Sequence, residues 1–253
     1  MRIPWTYACD DLSIDRGGRR VIHDVTTEFY AGEITAIVGP NGAGKSSLLM
    51  AFAGLLPPAS GEMWFDAGPL STMPPRMRAR LIGYLPQDGA IAWDVAVETL
   101  VALGRIPHGD DKLEPVDAAI RTMDLEALRH RPVSELSGGE KSRVLFARVL
   151  ATDPIFILAD EPLAALDLAH QLALIEKLKE CAADEQGVVM VLHDLAMAMN
   201  HADRVLVLSE GRLVADGPPL EALTAETIAQ VWGTDVEWIG EAGRQAIVAS
   251  VRD

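Results

Sequence analysis

Eight consecutive residues constrain this chain more than any other stretch: Gly39-Pro40-Asn41-Gly42-Ala43-Gly44-Lys45-Ser46. They fit the pattern GxxxxGK[ST], follow an apolar run at 33–38 and open an apolar helical pattern near Ser46. A strand, a glycine-rich turn and a helix in that order make a phosphate cradle. The glycines let successive backbone N–H groups point inward, and the helix N-terminus favours negative charge. Lys45 supplies a cation for the β- and γ-phosphates, Ser46 a hydroxyl for Mg²⁺, and Ser47 a hydroxyl within reach of the α-phosphate. The competing reading, a glycine turn that merely packs, does not explain why motif and context agree.

Such a cradle needs a sheet behind it. Residues 155–159, 188–192 and 205–209 join 33–38 as short runs of Ile, Val and Leu without polar alternation, as expected of strands buried on both faces. They alternate with helical patterns, so the fold class is α/β with a mostly parallel sheet covered by helices. Residues 9–30 alternate more loosely and are broken at Gly17 and Gly18, which predicts an antiparallel β subdomain turning at 16–19. Between 95 and 131 strand signals vanish, and 98–104 and 116–129 carry helical spacing, so a helical subdomain is inserted there. Beyond Gly217 the pattern is a helix with a short β-like end. The sequence has no internal repeat or low-complexity tract.

Length and composition agree with this: 253 residues make one large or two small domains, and 49% hydrophobic with 23% charged residues excludes disordered, collagen-like and disulfide-scaffold chains. A balance of 22 Lys and Arg against 37 Asp and Glu, net −15, disfavours a nucleic-acid partner. The first eleven residues lack a signal-peptide pattern, and no apolar run approaches the eighteen or so residues that span a bilayer, so a cytosolic chain is expected. Cys9 and Cys181 lack any CxxC or metal spacing and read as ordinary thiols.

A second signal ends the 155–159 run with Asp160 and Glu161, two acids at a strand's carboxyl end, where ligands of open α/β sheets sit. Alone, this would equally be a solvated strand end; beside a phosphate loop, Asp160 holds Mg²⁺ and Glu161 acts as general base or water-positioning group. Leu136-Ser137-Gly138-Gly139-Glu140 precedes an amphipathic helix through Val144, Leu145, Ala147, Arg148 and Leu150, a second glycine-rich helix start able to bind an anion. With one phosphate loop and two such ends, the second faces a nucleotide held by another copy, which predicts a dimer.

In order along the chain, the phosphate loop, Gln87, the 136–140 motif, Asp160-Glu161, Leu166-Asp167 and His193 resemble the ATP-binding cassette ATPases, over most of the chain. The resemblance implies a single ABC ATPase domain spanning 1–253. Its RecA-like core and β subdomain would take about 1–92 and 150–217, its helical subdomain about 93–149 and its C-terminal extension about 218–253. It implies ATP and Mg²⁺, and two cassettes packed head to tail, with Ser137, Gly138 and Gly139 of the 136–140 signature binding the γ-phosphate in trans. It also implies that Gln87 touches Mg²⁺ and the attacking water, that Asp167 links the two active sites, and that His193 contacts the γ-phosphate and orients Glu161. The family commonly stacks adenine on an aromatic residue; that position falls at or near Arg16, whose guanidinium could stack with about 0.5–2 kcal/mol, or Tyr7 or another group could serve. Glu140 stands where Gln is commoner, and Leu163-Ala164 replace Thr-Ser; neither removes a phosphate ligand.

Trp93, Val95, Val97-Glu98, Val101-Ala102-Leu103-Gly104-Arg105, Pro107-His108 and Leu166-Asp167-Leu168-Ala169-His170-Gln171 look like the ATPases of bacterial importers for ferric siderophores, haem and cobalamin. That likeness implies an integral membrane permease and a periplasmic binding protein as partners. It also implies attachment to the cytoplasmic face of the inner membrane through the permease, and a permease-receiving surface at 90–105. Trp5, Trp64, Trp232 and Trp238 read as packing residues. The alternative is a soluble cassette ATPase of iron–sulfur cluster assembly. A DNA-repair cassette would need a coiled-coil insertion and a basic surface, and a GTPase an Asn-Lys-x-Asp run; the sequence has none of these.

Overall fold

The computed structural model describes residues 5–66, 68–87, 89, 91, 94–164 and 166–250. The chain opens with β1 (Thr6–Arg16) and β2 (Arg19–Tyr30), then β3 (Ile34–Val38), α1 (Lys45–Phe52), β4 (Ser60–Phe65), β5 (Gly68–Pro69), α2 (Pro75–Leu81) and β6 (Ile82–Leu85). Next come α3 (Val97–Ala102), α4 (Glu114–Thr122), α5 (Gly138–Leu150), β7 (Phe156–Asp160), α6 (Leu168–Ala183), β8 (Gly187–Val191), α7 (Leu195–His201) and β9 (Arg204–Ser209). The chain ends with β10 (Arg212–Gly217), α8 (Pro219–Ala222), α9 (Ala225–Trp232), β11 (Asp235–Ile239) and β12 (Ala246–Ser250).

Among the described residues the strands form three sheets. The main one has the order β10-β9-β3-β8-β7-β6, parallel except for β10, which pairs antiparallel with β9. The expected N-terminal subdomain is the antiparallel sheet β2-β1-β4-β5, and its first turn closes at Arg16↔Arg19 as predicted. The pair β11-β12 is the short β-like end.

The central strands explain why their sequences do not alternate with polar residues. Along β7, Phe156 and Leu158 pack into one apolar cluster with α1 and the β subdomain, while Ile157 and Ala159 pack into a second with the helices. In β8 and β9, Val188, Met190, Val205 and Val207 join the helical cluster, and Val189, Val191, Leu206 and Leu208 the other. Burying both faces contributes roughly 1.5–3 kcal/mol per large aliphatic side chain, which holds the strand ends in place. Glu161 directly follows β7, and His193 and Gln87 stand two residues beyond β8 and β6.

The helical insertion is present as α3, α4 and α5, but the spacing read as continuous over 116–129 is interrupted. α4 stops at Thr122, and Asp124 turns the chain with φ 52, which lets Leu125 bury fully before a short 3₁₀ turn at Glu126–Leu128. Trp232 and Trp238 pack against the core, Trp238 donating its indole N–H to the Leu223 carbonyl, and Trp5 stacks 5.8 Å from Phe65. Cys9 and Cys181 are free and buried; burial pushes their thiols up to about 12 and about 11. Among the described residues no helix is long and apolar enough to cross a membrane.

Candidate active site

The phosphate loop joins β3 to α1 and is held from outside by close packing. A Cβ on Gly39 would lie 2.1 Å from the Leu208 carbonyl oxygen, and Gly44, at φ 98, would bring one within 2.7 Å of the Val21 oxygen. Only glycine fits at either position. α1 therefore starts with no side-chain cap and no acid in its first turn, so its leading N–H groups are left for an anion. Lys45 is 5% exposed and donates to the carbonyls of Gly39 at 2.8 Å and Pro40 at 3.1 Å. Burial lowers its pKa, opposed by the charges of Glu161 and Asp160.

The acid pair sits across from the loop at the end of β7. Asp160 is buried and accepts the Ser46 hydroxyl at 3.0 Å; burial raises its pKa against that hydrogen bond. Glu161 follows with φ 51, left-handed like seven other acidic residues among those described. Its two carboxylate oxygens have separate partners: Gln87 Nε2 donates to Oε2 at 2.7 Å, and His193 Nε2 stands 2.5 Å from Oε1. A carboxylate only accepts, so His193 donates there. Positions 87, 161 and 193, remote in sequence, meet at one point.

A cavity of about 290 Å³ is lined by Arg16, Val21, residues 41–47, Glu161 and His193. Arg16 thus reaches the same space as the phosphate loop. Tyr7 does not: its ring is fully buried among Phe52, Phe65 and Phe156, and its hydroxyl donates to the Phe52 carbonyl. The expectation that Tyr7 could hold a base is corrected, because the ring belongs to the core.

Ser137, Gly138 and Gly139 form the start of α5, away from the lining of that cavity. Ser137 caps the helix in a reciprocal box, accepting from the Glu140 N–H at 3.3 Å while Glu140 Oε2 accepts from the Ser137 N–H at 2.7 Å. The departure from Gln to Glu thus keeps the cap. Gly138 is exposed with open space where a Cβ would stand, and it borders a second cavity of about 510 Å³ with Gln87, Asp160 and Glu161. Asp167 caps α6 and is 68% exposed. Of the 90–105 stretch, Ala90, Ala92 and Trp93 lie outside the described residues, and Val97, Leu100, Val101 and Arg105 are buried.

The left-handed Glu161 and the contacts of His170 and Gln171 with the loop before α6 are features that no sequence signal could have revealed. As to ligands, Ser46, Asp160 and the Gln87 amide are hard oxygen donors suited to Mg²⁺, and a phosphate chain fits the uncapped start of α1.

A sequence profile of the family described as ABC transporter matches residues 22–164. The hemin import ATP-binding protein HmuV of Nocardia farcinica is 45% identical over 234 residues, 88% of this chain and 80% of that protein. Among solved structures, cbiO1 from Clostridium perfringens, part of the ABC transporter complex cbiONQ, is 28% identical with a TM-score of 0.78 over 90% of this chain and 94% of that one. The ATP-binding cassette MJ0796, solved as a dimer bound to ADP and Pi, is 25% identical with a TM-score of 0.74 over 84% of this chain and 98% of that one.

Proposed function

This chain belongs to the ABC transporter family, and from that premise we propose that it is the ATP-hydrolysing subunit of a bacterial importer for haem or a related iron chelate. It works as one of two copies, seated at the membrane beneath an integral permease that a periplasmic binding protein supplies. The observation that carries the reading is Glu161, whose two oxygens are taken by Gln87 and His193 beside a lysine-bearing phosphate loop. Similarity to a hemin import ATP-binding protein directs it toward haem.

Hydrolysis requires an aligned water and donors for the charge of the transferred phosphoryl group. Lys45 exchanges its bonds to the Gly39 and Pro40 carbonyls for phosphate oxygens, joined by the free N–H groups of the loop and α1. Ser46, Asp160 and Gln87 would hold Mg²⁺, which would supply positive charge to offset that of the phosphate chain. Glu161 orients the water or takes its proton, and Gln87 and His193 keep its carboxylate in one orientation. Arg16 lays its guanidinium plane against adenine. Ser137, Gly138 and Gly139 meet the γ-phosphate bound by the partner, and Asp167 faces the same junction.

For the permease, the open surface is a cavity of about 340 Å³ lined by Tyr84, Leu103, Ile106, Pro107, Arg148 and Thr152, among others. It adjoins the C-terminal end of α5, whose other end is Ser137, so one 13-residue helix joins permease groove to signature. Closure of two cassettes on ATP then moves the grooves relative to each other.

Glu161→Gln, assayed by phosphate release in the permease-bound complex, is expected to slow turnover by about 10²–10⁴-fold while nucleotide still binds. Near-wild-type turnover removes Glu161 from its role. Haem accumulation in vesicles carrying the complex, dependent on ATP, tests the substrate.

A further inference from the structure

We propose that His170 and Gln171, on the first turn of α6, are positioning residues for hydrolysis: together they clasp Leu163, Leu166 and Asp167, which follow Glu161 in the chain. The proposal rests on the ATP-site reading above and adds to it the groups that hold that site in register.

Gln171 spends both hydrogens of its amide on this segment, donating from Nε2 to the Leu163 carbonyl and to the Leu166 carbonyl, each at 3.1 Å. His170 grips the far end: its backbone N–H donates to Asp167 Oδ1 at 3.0 Å and its Nδ1 lies 2.7 Å from the same oxygen. These bonds hold the Asp167 carboxyl below the usual carboxylate range. The near end is Glu161, left-handed at φ 51, whose carbonyl accepts the Ala164 N–H at 3.2 Å; Leu166 N–H donates to the Leu163 carbonyl at 3.2 Å. Glu185 and Glu210 hold the same left-handed conformation elsewhere in the chain, so what distinguishes Glu161 is the second tie on the turn that follows it. The turn that Gln171 fastens begins at that residue.

The clasped segment touches three parts of the site. At its start stands the carboxylate held by Gln87 and His193. One residue before its end, Leu166 is buried against the signature helix, its Cδ2 3.6 Å from where a Gly139 Cβ would stand. At its end Asp167 is 68% exposed, on the surface that the proposed function gives to a second copy. An ordinary helix staple would hold α6 alone. Here the donors belong to α6 and the acceptors to the segment that carries the chemistry.

The test uses the full chain in its permease complex. Gln171→Met keeps length and removes both donors; Gln171→Lys returns a donor of similar reach. The expected result is a kcat about 10- to 100-fold lower for Gln171→Met, with KM and the affinity for a fluorescent ATP analogue within about twofold. Gln171→Lys recovers most of the rate. His170→Ala lowers kcat in the same manner, and His170→Asn, which keeps a donor for Asp167, recovers it. Wild-type kcat in Gln171→Met overturns the clasp, as does a loss accompanied by an equal fall in nucleotide affinity, or one that Gln171→Lys leaves unrepaired at unchanged thermal stability. A Glu161→Gln protein measured alongside separates the two readings: if it hydrolyses ATP normally, the site assignment fails and the clasp with it, whereas its inactivity beside a fully active Gln171→Met defeats the clasp alone.

Discussion

Two helices in this chain begin with small residues and look alike in sequence, yet their N-termini are built in opposite ways. α1 has no side-chain cap and no acidic residue in its first turn, and is pinned by the backbone of other strands at Gly39 and Gly44. α5 is capped by its own Ser137 and Glu140, and Gly138 faces open space. The first end leaves donors unpaired and relies on tertiary packing to keep them aimed; the second satisfies itself and needs no neighbour. Under the proposed function this is a division of labour. The phosphate loop is a site in every single chain, and the signature is a finished surface waiting for a nucleotide that another copy brings.

Lys45→Ala is expected to break the comparison most strongly. It removes the buried ammonium and leaves two carbonyls without their donor, so nucleotide affinity of the isolated chain should fall about 10- to 100-fold by calorimetric titration; unchanged affinity would mean that α1 is not the primary site. Ser137→Ala sharpens the contrast. Loss of the cap should cost about 1 kcal/mol and lower Tm by about 2–4 °C in scanning calorimetry, with nucleotide binding to a single chain unaltered. Equal losses of affinity in both variants would erase the distinction.

The smallest effect concerns Glu140. The Ser137 N–H holds its carboxyl below the ordinary 4.5, so its contribution to stability is present above that value and is lost as pH falls through the lower folded value. Glu140→Gln keeps an acceptor without a titrating group. The Tm difference between wild type and variant should therefore be constant near neutrality and change only below about pH 4.5; a difference that first changes near pH 7 would locate the effect elsewhere.

How much could be read in advance follows the range of each interaction. The loop at 39–46, the acids at 160 and 161 and the four central strands carry local patterns, and β3, β7, β8 and β9 lie within a residue of the expected bounds. β6 has only four residues and is a strand because Ile82 to Leu85 pair with Phe156 to Ala159; no pattern within so short a run declares it. The interruption at Asp124 depends on burying Leu125, and the fate of Tyr7 on three phenylalanines brought to it from β4, α1 and β7. Gln87, Glu161 and His193 could be named through a family resemblance, but no spacing rule predicts that one carboxylate would serve the other two.

By itself, then, the amino-acid order determined a parallel α/β core, a phosphate-binding turn and the acids that accompany it, since strand burial, glycine-rich turns and helix starts are written in neighbouring residues. Only the tertiary structure decided which way Glu161 turns, that Arg16 rather than Tyr7 reaches the cavity beside the 39–46 loop, and that Gln171 fastens the Leu163 and Leu166 carbonyls. Those outcomes depend on carbonyls and rings supplied by other segments, and a hydrogen bond a few ångströms long has no signature until folding has brought its two ends together.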